Sequence, residues 1–296
     1  MDRLQAMRVF VTVAEAGGFA AAARTLAMSP PAVTRAVAGL EQAVGARLLL
    51  RSTRKVSLTE AGSRYLEDCR RILAEVAEAE AAAAGSYARP TGSLTVTAPV
   101  LFGQLHVLPV LLDYLDRYPE VAGRLLLLDR VAGLLEEGID VAVRIGHLPD
   151  SSQRALRVGT VRRVVCGAPA YLERAGVPRE PRDLLDHRIV APIGSSVAPD
   201  WRFGSGPLRS LTLAPGLVCN SNAAVIDAAV AGWGLTRALG YQVAAELAAG
   251  RLRVVLEDFE EPPIPIHLVH AEGSRTSAKV RAFVDLAAER LRVMAW

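Results

Sequence analysis

Residues Gly18–Val44, GFAAAARTLAMSPPAVTRAVAGLEQAV, decide how the N-terminal part of this chain folds. Phe19, Ala22, Ala23 and Leu26 recur at helical spacing, and the alanines allow helices to approach closely. Ser29 is a suitable N-cap. Pro30 falls at the first helical position, where its missing N–H costs nothing. The next helix buries Val33, Val37, Leu40 and Val44, until Gly45 stops it. This pattern predicts a helix-turn-helix. The outward face of the second helix carries Ser29, Pro30, Pro31, Thr34, Arg35, Ala38 and Gln42, small residues with one guanidinium. A helix that enters a DNA groove needs that profile. Arg35 suits guanine O6/N7; Thr34 offers a methyl for thymine and a hydroxyl for a base or phosphate. A plain three-helix core with a solvated face has the same spacing, so the flanking residues must decide.

Upstream, Leu4, Met7, Val11 and Ala14, joined by Phe10, predict a helix ended by Gly17-Gly18. Downstream, Leu48–Leu50 and Val56–Leu58 are strand-like runs around Arg51-Ser52-Thr53-Arg54-Lys55. A hairpin tip with three cations and no acid suits phosphate or minor-groove contact. Residues 1–62 carry a net charge of +4, and the remaining 234 sum to −1. A basic head on a near-neutral body suggests that the head meets a polyanion.

Thr59 can cap a helix running from Glu60 to about Ala84. Within it Leu66, Cys69, Leu73 and Val76 follow the 3-4-3 spacing of a two-stranded seam, although a helix packed on its own domain remains open. Gly85–Gly92 is rich in small residues and breakers and predicts a hinge.

From Ser93 strands and helices alternate. Leu94–Thr97, Arg124–Leu128 and Asp140–Gly146 predict strands, with helices at Phe102–Tyr118, burying Leu105, Leu108, Leu112 and Leu115, and at Val131–Glu137. That is a βαβαβ unit with a parallel sheet. A second unit starts near Arg162. Its predicted strands are Arg163–Cys166, Ile189-Val190, Trp201–Phe203, Leu217–Cys219 and Leu252–Leu256. Its helices are Pro169–Arg174, Asn222–Ala231 and Tyr241–Ala248. Ile264–Val269 returns as a strand to the first unit, and Ser277–Val293 closes as a helix. Two α/β lobes joined in this way form a hinged clamshell, with ligands expected beyond the carboxyl ends of the strands. Pro99, Val100, Leu101, Phe102 and Arg144 from the first lobe, and Asn220 and Asn222 from the second, are the candidate ligand contacts. The rim is apolar with Arg144 as its cation, which fits an apolar or aromatic ligand bearing an acid group. Arg144 paired with a neighbouring acid is the alternative.

The head resembles that of the LysR-type transcriptional regulators. The resemblance is carried by Met7–Val11 with Ala14-Glu15, Phe19–Ala23, Leu26, Ser29, Ala32–Arg35, Leu40-Glu41, Gly45–Leu49, Arg51–Arg54 and Leu58–Gly62. Gly18 departs from the usual Ser cap, a difference of only a few tenths of a kcal/mol, about 0.3. The body is similar to the type 2 periplasmic-binding-protein fold that the family uses to sense effectors. That similarity rests on Ala98-Pro99, Phe102-Gly103, Tyr118-Pro119, Leu128–Arg130, Glu136–Gly138, Asp140–Gly146, Leu148–Ser152, Ala170–Leu172, Gly250–Leu252 and Ser277–Phe283. Ala132-Gly133 and Leu239–Tyr241 depart from it near the cleft, so no ligand identity carries over.

The resemblance implies an α/β chain in three parts: a winged helix-turn-helix at 1–59, a linker and dimerisation helix with hinge at 60–91, and an effector-binding domain at 92–296. Lobe 1 takes 92–161 and 264–296, and lobe 2 takes 162–263. DNA contacts are implied at Ser29, Pro30, Pro31, Thr34 and Arg35 and on the wing at Arg51, Thr53, Arg54 and Lys55. The implied partners are operator DNA, a small-molecule co-inducer, RNA polymerase, and other copies of the chain in a homodimer or homotetramer.

Three widely spaced cysteines, Cys69, Cys166 and Cys219, read as reduced, buried thiols of a cytoplasmic protein. No signal peptide is apparent. The uncharged run Pro90–Leu112 is broken by prolines, glycines and polar residues, against a membrane span. Nothing predicts a cofactor, a metal or catalysis. Gly194-Ser195-Ser196 and Gly204-Ser205-Gly206 are not nucleophile elbows, and the five histidines lack ligand spacing. The other readings open at this point are a ligand-binding clamshell or enzyme whose DNA binding is secondary, and an architectural DNA binder with a vestigial clamshell.

Overall fold

The structure, a computed structural model, describes residues 2–51, 56–83, 89–134, 136–148, 153–193, 200–204, 209–271 and 277–294. Several sequence expectations lie outside the described residues: the wing tip Ser52–Lys55, hinge residues Gly85–Ala88, Pro149–Ser152, Gly194–Ser196 and Ser205-Gly206. The chain forms two compact units, Met1–Ala88 and Arg89–Trp296.

In the first unit, α1 (Arg3–Ala16), α2 (Phe19–Thr25) and α3 (Pro30–Val44) are followed by β1 (Leu49–Arg51), β2 (Val56–Leu58) and α4 (Glu60–Ala83). Gly17 ends α1 and Gly45 ends α3, both in the left-handed region, where glycine has no Cβ to clash. The strands β1 and β2 pair antiparallel, Leu49 opposite Leu58. Glu41 anchors this hairpin to α3 by accepting from the Leu48 and Leu49 N–H groups at 2.8 and 3.1 Å.

Two expectations change here. α1 buries Ala6, Met7, Val9, Phe10 and Val13, whereas Leu4, Val11 and Ala14 are half-buried. α2, α3 and α4 all pack on α1, so it needs a broader apolar face than one stripe. The proposed seam of α4 also begins inside the head. Leu66 and Cys69 are buried in the same core as Phe10 and Val13, the Tyr65 and Phe10 ring centroids are 5.9 Å apart, and Arg70 donates twice to Glu15. The first turns of α4 are thus part of the helix-turn-helix core.

The second unit contains β3 (Gly92–Ala98), α5 (Val100–Phe102), a π-helical turn (Gly103–Val107), α6 (Leu108–Arg117), β4 (Val121–Leu127), β5 (Val141–Ile145) and β6 (Gln153–Val161). Next come β7 (Arg163–Gly167), α7 (Pro169–Ala175), a 3-10 turn (Pro181–Asp186), β8 (Ile189–Pro192), and the hairpin β9 (Asp200–Phe203) with β10 (Arg209–Thr212). The rest is β11 (Leu217–Cys219), α8 (Asn222–Val230), β12 (Leu235–Leu239), α9 (Gly240–Ala248), β13 (Arg253–Val255), β14 (Ile264–Ala271) and α10 (Ala278–Arg292).

One lobe has sheet order β4-β3-β5-β14-β6, the other β11-β8-β12-β7-β13. Both sheets are mixed, not parallel. β14 runs antiparallel to β5 and β6, and β7 antiparallel to β12 and β13, because each lobe is completed by a strand entering from the other. The two crossing segments are tied to each other. Arg162 forms a bidentate pair with Glu260, both bonds 2.8 Å, and Arg163 pairs with Glu261.

The described residues of 131–137 form no helix: 131–133 are irregular, and Leu134, Glu136 and Glu137 lie in turns where a helix was expected. The predicted leucine stripe turns outward at three of its four positions, while Leu115 stays half-buried against the core. Leu105, Leu108 and Leu112 are 51, 38 and 54% exposed, while Phe102, Val107, Val110, Leu111 and Tyr114 form the core. The π-helical turn adds a residue to its loop and rotates the helical turns after it, exchanging two stripes that are both apolar. Among the described residues no single helix is long and apolar enough to cross a membrane. Cys69 and Cys166 are buried, but Cys219 is only half-buried.

Candidate functional site

The first candidate site is the start of α3. Val33, Ala36, Val37 and Leu40 turn inward, so the opposite face must look out. Ser29, Pro30, Pro31, Arg35, Ala38 and Gln42 are exposed and Thr34 is half-buried. Ser29 has the backbone of an N-cap, but its side chain makes no capping bond, which leaves its hydroxyl outward. The Thr34 hydroxyl donates to the Pro30 carbonyl at 3.0 Å. Its proton is therefore spent within the helix, and it offers a methyl and an acceptor lone pair rather than a donor. The turn before α3 is closed by Met28 N–H donating to Ala23 C=O at 3.0 Å, with Ala27 left-handed at φ +50°. Arg51 ends β1; Thr53, Arg54 and Lys55 lie outside the described residues.

The second candidate site is the cleft between the lobes of the second unit, a cavity of about 260 Å³. Pro99 and Asn222, both expected, line it. Asp129, Arg163, Arg237, Leu239 and Tyr241 line it as well and were not expected. Asp129 of lobe 1 accepts from the Val100 N–H and from Asn222 Nδ2 of lobe 2, each at 3.0 Å, which links the two cleft walls.

The other five expected contacts, Val100 among them, do not line the cavity. Phe102 is fully buried, edge-on to Tyr241 at 5.1 Å; it supports the wall instead of forming a rim. Arg144 does not line the cavity. Its Nη2 donates to the Ala132 carbonyl at 3.0 Å, pinning the turn after β4 in place of pairing with an acid. Asn220 is exposed and also absent from the lining. Leu101 lies beneath, packed against the cores of both lobes.

Arg237 projects from β12, whose neighbours surround it. It stacks over the rings of Trp201 and Phe203 at 5.8 and 5.3 Å, donates to the Arg202 carbonyl at 2.6 Å and pairs with Glu261 at 3.0 Å. These partners lie 24 to 36 residues away in sequence, which is why no local motif announced the site. The Leu239–Tyr241 departure was the available signal. Gln242 of the same stretch caps α9 by accepting from the Leu239 N–H at 2.9 Å. Among the described residues no group of three or more His, Cys, Asp or Glu side chains is arranged to hold a metal.

Comparison with known proteins converges on this geometry. Residues 4–63 match the model of the bacterial regulatory helix-turn-helix protein, lysR family, and residues 88–292 match that of the LysR substrate binding domain. The chain is similar to an HTH-type transcriptional regulator of Xanthomonas campestris pv. campestris, 36% identical over 96% of this chain and 84% of the relative. It is similar to the HTH-type transcriptional activator AaeR of Escherichia coli, 32% identical over 96% of this chain and 93% of the relative. Among solved structures it resembles CrgA, a LysR-type transcriptional regulator from Neisseria meningitidis, with TM-score 0.62, 29% identity and coverage of 97% and 98% of the two chains. A helix-turn-helix head, a linker helix and a two-lobed α/β body, each matched over nearly its full length, identify the chain as a member of the LysR family, a DNA-binding transcriptional regulator with a C-terminal effector-binding domain.

Proposed function

We propose that the first turns of α3 read operator DNA in the major groove. Ser29, Pro30, Pro31, Thr34 and Arg35 face the bases and adjoining phosphates, and Arg51, Thr53, Arg54 and Lys55 of the wing meet the flanking backbone. The observation that carries this reading is the division of α3 into a wholly buried aliphatic side and an exposed side whose first three turns hold one long cation, Arg35. Short neighbours let that guanidinium approach a guanine edge, and a good bidentate pair of this kind discriminates by about 1–3 kcal/mol. The test compares wild type with Arg35→Ala on a duplex selected from a random pool by the wild-type chain. Arg35→Ala should weaken binding to that duplex about 10- to 100-fold and leave binding to unrelated DNA nearly unchanged. Equal losses on both would remove Arg35 from base readout.

The regulator works as paired copies. The part of α4 beyond Leu73 is one pairing surface, since Leu66 and Cys69 are spent inside the head. The exposed Leu105, Leu108 and Leu112 on the second unit are another. Two distinct self-pairing surfaces per chain give a dimer of dimers. A small molecule in the interlobe cleft, between Pro99 and Asp129 on one side and Asn222 and Tyr241 on the other, favours one lobe geometry and so alters the paired heads.

A further inference from the structure

Leu48, Leu49 and Leu50 lead from the turn after α3 into the wing, and three leucines in a row leave its register open. Leu48 and Leu49 are buried, whereas Leu50 is 54% exposed. A one-residue slip turns every side chain of a strand to its opposite face. Here a slip exchanges one leucine for another in the core, so burial hardly opposes it. The strands β1 and β2 have three residues each, and so short a hairpin does not hold its own place. Polar contacts must choose which leucine faces inward.

Glu41 is placed to do so. Its backbone carbonyl accepts from the Gly45 and Ala46 N–H groups at 2.9 and 3.2 Å, closing α3. Its carboxylate accepts from the Leu48 and Leu49 N–H groups at 2.8 and 3.1 Å, both on Oε1. One residue thus takes four of the N–H groups between Gly45 and Leu49. Bonds to an ionised acceptor are the strong ones, and this pair forms in only one alignment of β1 on α3. An acid in the last turn of a helix opposes the helix dipole. Glu41 stands in the last turn of α3, and the two wing bonds offset that cost. Thr59 holds the same stretch from the other side, through the Arg47 and Leu48 carbonyls, and ties it to α4. The tie to α3 is Glu41.

We propose that Glu41 is a positioning residue for DNA binding: it locks the register of the wing to α3, so that the wing meets phosphate in step with the bases that α3 reads. This rests on the reading of α3 and the wing as the DNA-contacting elements.

The test is the slope of log affinity against log salt, measured with the full chain on the duplex selected by the wild type. Each phosphate contact contributes about 0.9 to that slope. Arg54→Ala checks the wing itself and should lower the slope by about 1 for each bound head. Glu41→Leu fills the half-buried place without an acceptor. It should lower the slope by about 2 for each head, while the preference for the selected duplex over unrelated DNA changes less than about threefold. Glu41→Gln keeps one acceptor oxygen and should fall between; it carries the test if calorimetry shows that Glu41→Leu leaves the head unfolded. Adding Leu50→Thr to either variant should restore at least half of the lost slope, because a threonine does not take the inward place. Unchanged slopes in the folded Glu41 variants, with Arg54→Ala effective, would overturn the positioning role. Slope and sequence preference lost together would overturn it too, since Glu41 would then support the whole head. Failure of Leu50→Thr to restore the slope would overturn the register lock. An Arg54→Ala slope equal to wild type would instead remove the wing from the DNA contact on which the proposal rests.

Discussion

Ala27 holds the turn between α2 and α3 at φ +50°, a conformation glycine adopts at no steric cost. Its side chain is exposed, so nothing is lost by trimming it. Ala27→Gly should stabilise the head by about 0.5–1 kcal/mol, raising its melting temperature a few degrees. A lower melting temperature would show that the strain is not there. Histidines set a second residue-level expectation. His106, His187 and His267 all fall below their ordinary 6.5, each chiefly because burial disfavours the charged ring. A base whose folded pKa is depressed is held neutral by folding. Its contribution is intact above about pH 6.5 and is lost as pH falls through 6.5 toward the lower folded values. The urea midpoint should therefore drop between about pH 7.5 and 5.5, and His106→Gln should flatten that slope. A midpoint constant or rising toward acid pH would contradict this.

Among the elements, the join between β1 and α4 is the least forgiving. Thr59 donates to the Arg47 carbonyl at 2.8 Å and accepts from the Gly62 N–H at 2.8 Å, capping α4 while holding it to the wing. A Cβ on Gly62 would stand 1.9 Å from the Leu48 carbonyl oxygen. Gly62→Ala should cost the head at least ~2 kcal/mol and abolish DNA binding, while the transition of the second unit stays in place. A single calorimetric scan distinguishes the two transitions. Much at this scale was legible in advance. The three head helices, the wing strands and the strand–helix order around β3, β5, β7 and α10 follow from caps, breakers and periodicity. The failures have physical causes. β6 and β12 interleave arginines with small or apolar residues, as in Arg154–Val158 and Leu235–Leu239, and announce themselves weakly. α6 is apolar on two faces, so spacing alone could not choose, and the π-helical turn settled the register. Of the α4 seam, Leu66 and Cys69 pack into the head's own core, and spacing alone does not distinguish that partner from a second copy. In the cleft, Pro99 and Asn222 were legible from strand and helix ends. Arg237 was not, because its environment comes from Trp201, Phe203 and Glu261, remote in sequence.

For the whole molecule, the exposed leucines of the second unit make self-association testable without disturbing the core. Leu108→Lys with Leu112→Lys should leave the melting temperature nearly unchanged, within ~0.5 kcal/mol for each surface change, and lower the solution mass by one assembly step. Sedimentation equilibrium reads that mass, and an unchanged mass would separate this stripe from assembly. The paired crossing segments have a different kind of consequence. Arg162 and Glu260 are 98 residues apart in the chain yet bonded at 2.8 Å, so the second lobe enters and leaves its neighbour through one doorway. A segment with adjoining ends is transplantable. A recombination event joining at those two positions can replace the guanidinium and phenol of the cleft in one piece. It leaves Asp129, the helix-turn-helix and the leucine stripe where they were. What the regulator senses can therefore be inherited separately from where on the chromosome it sits.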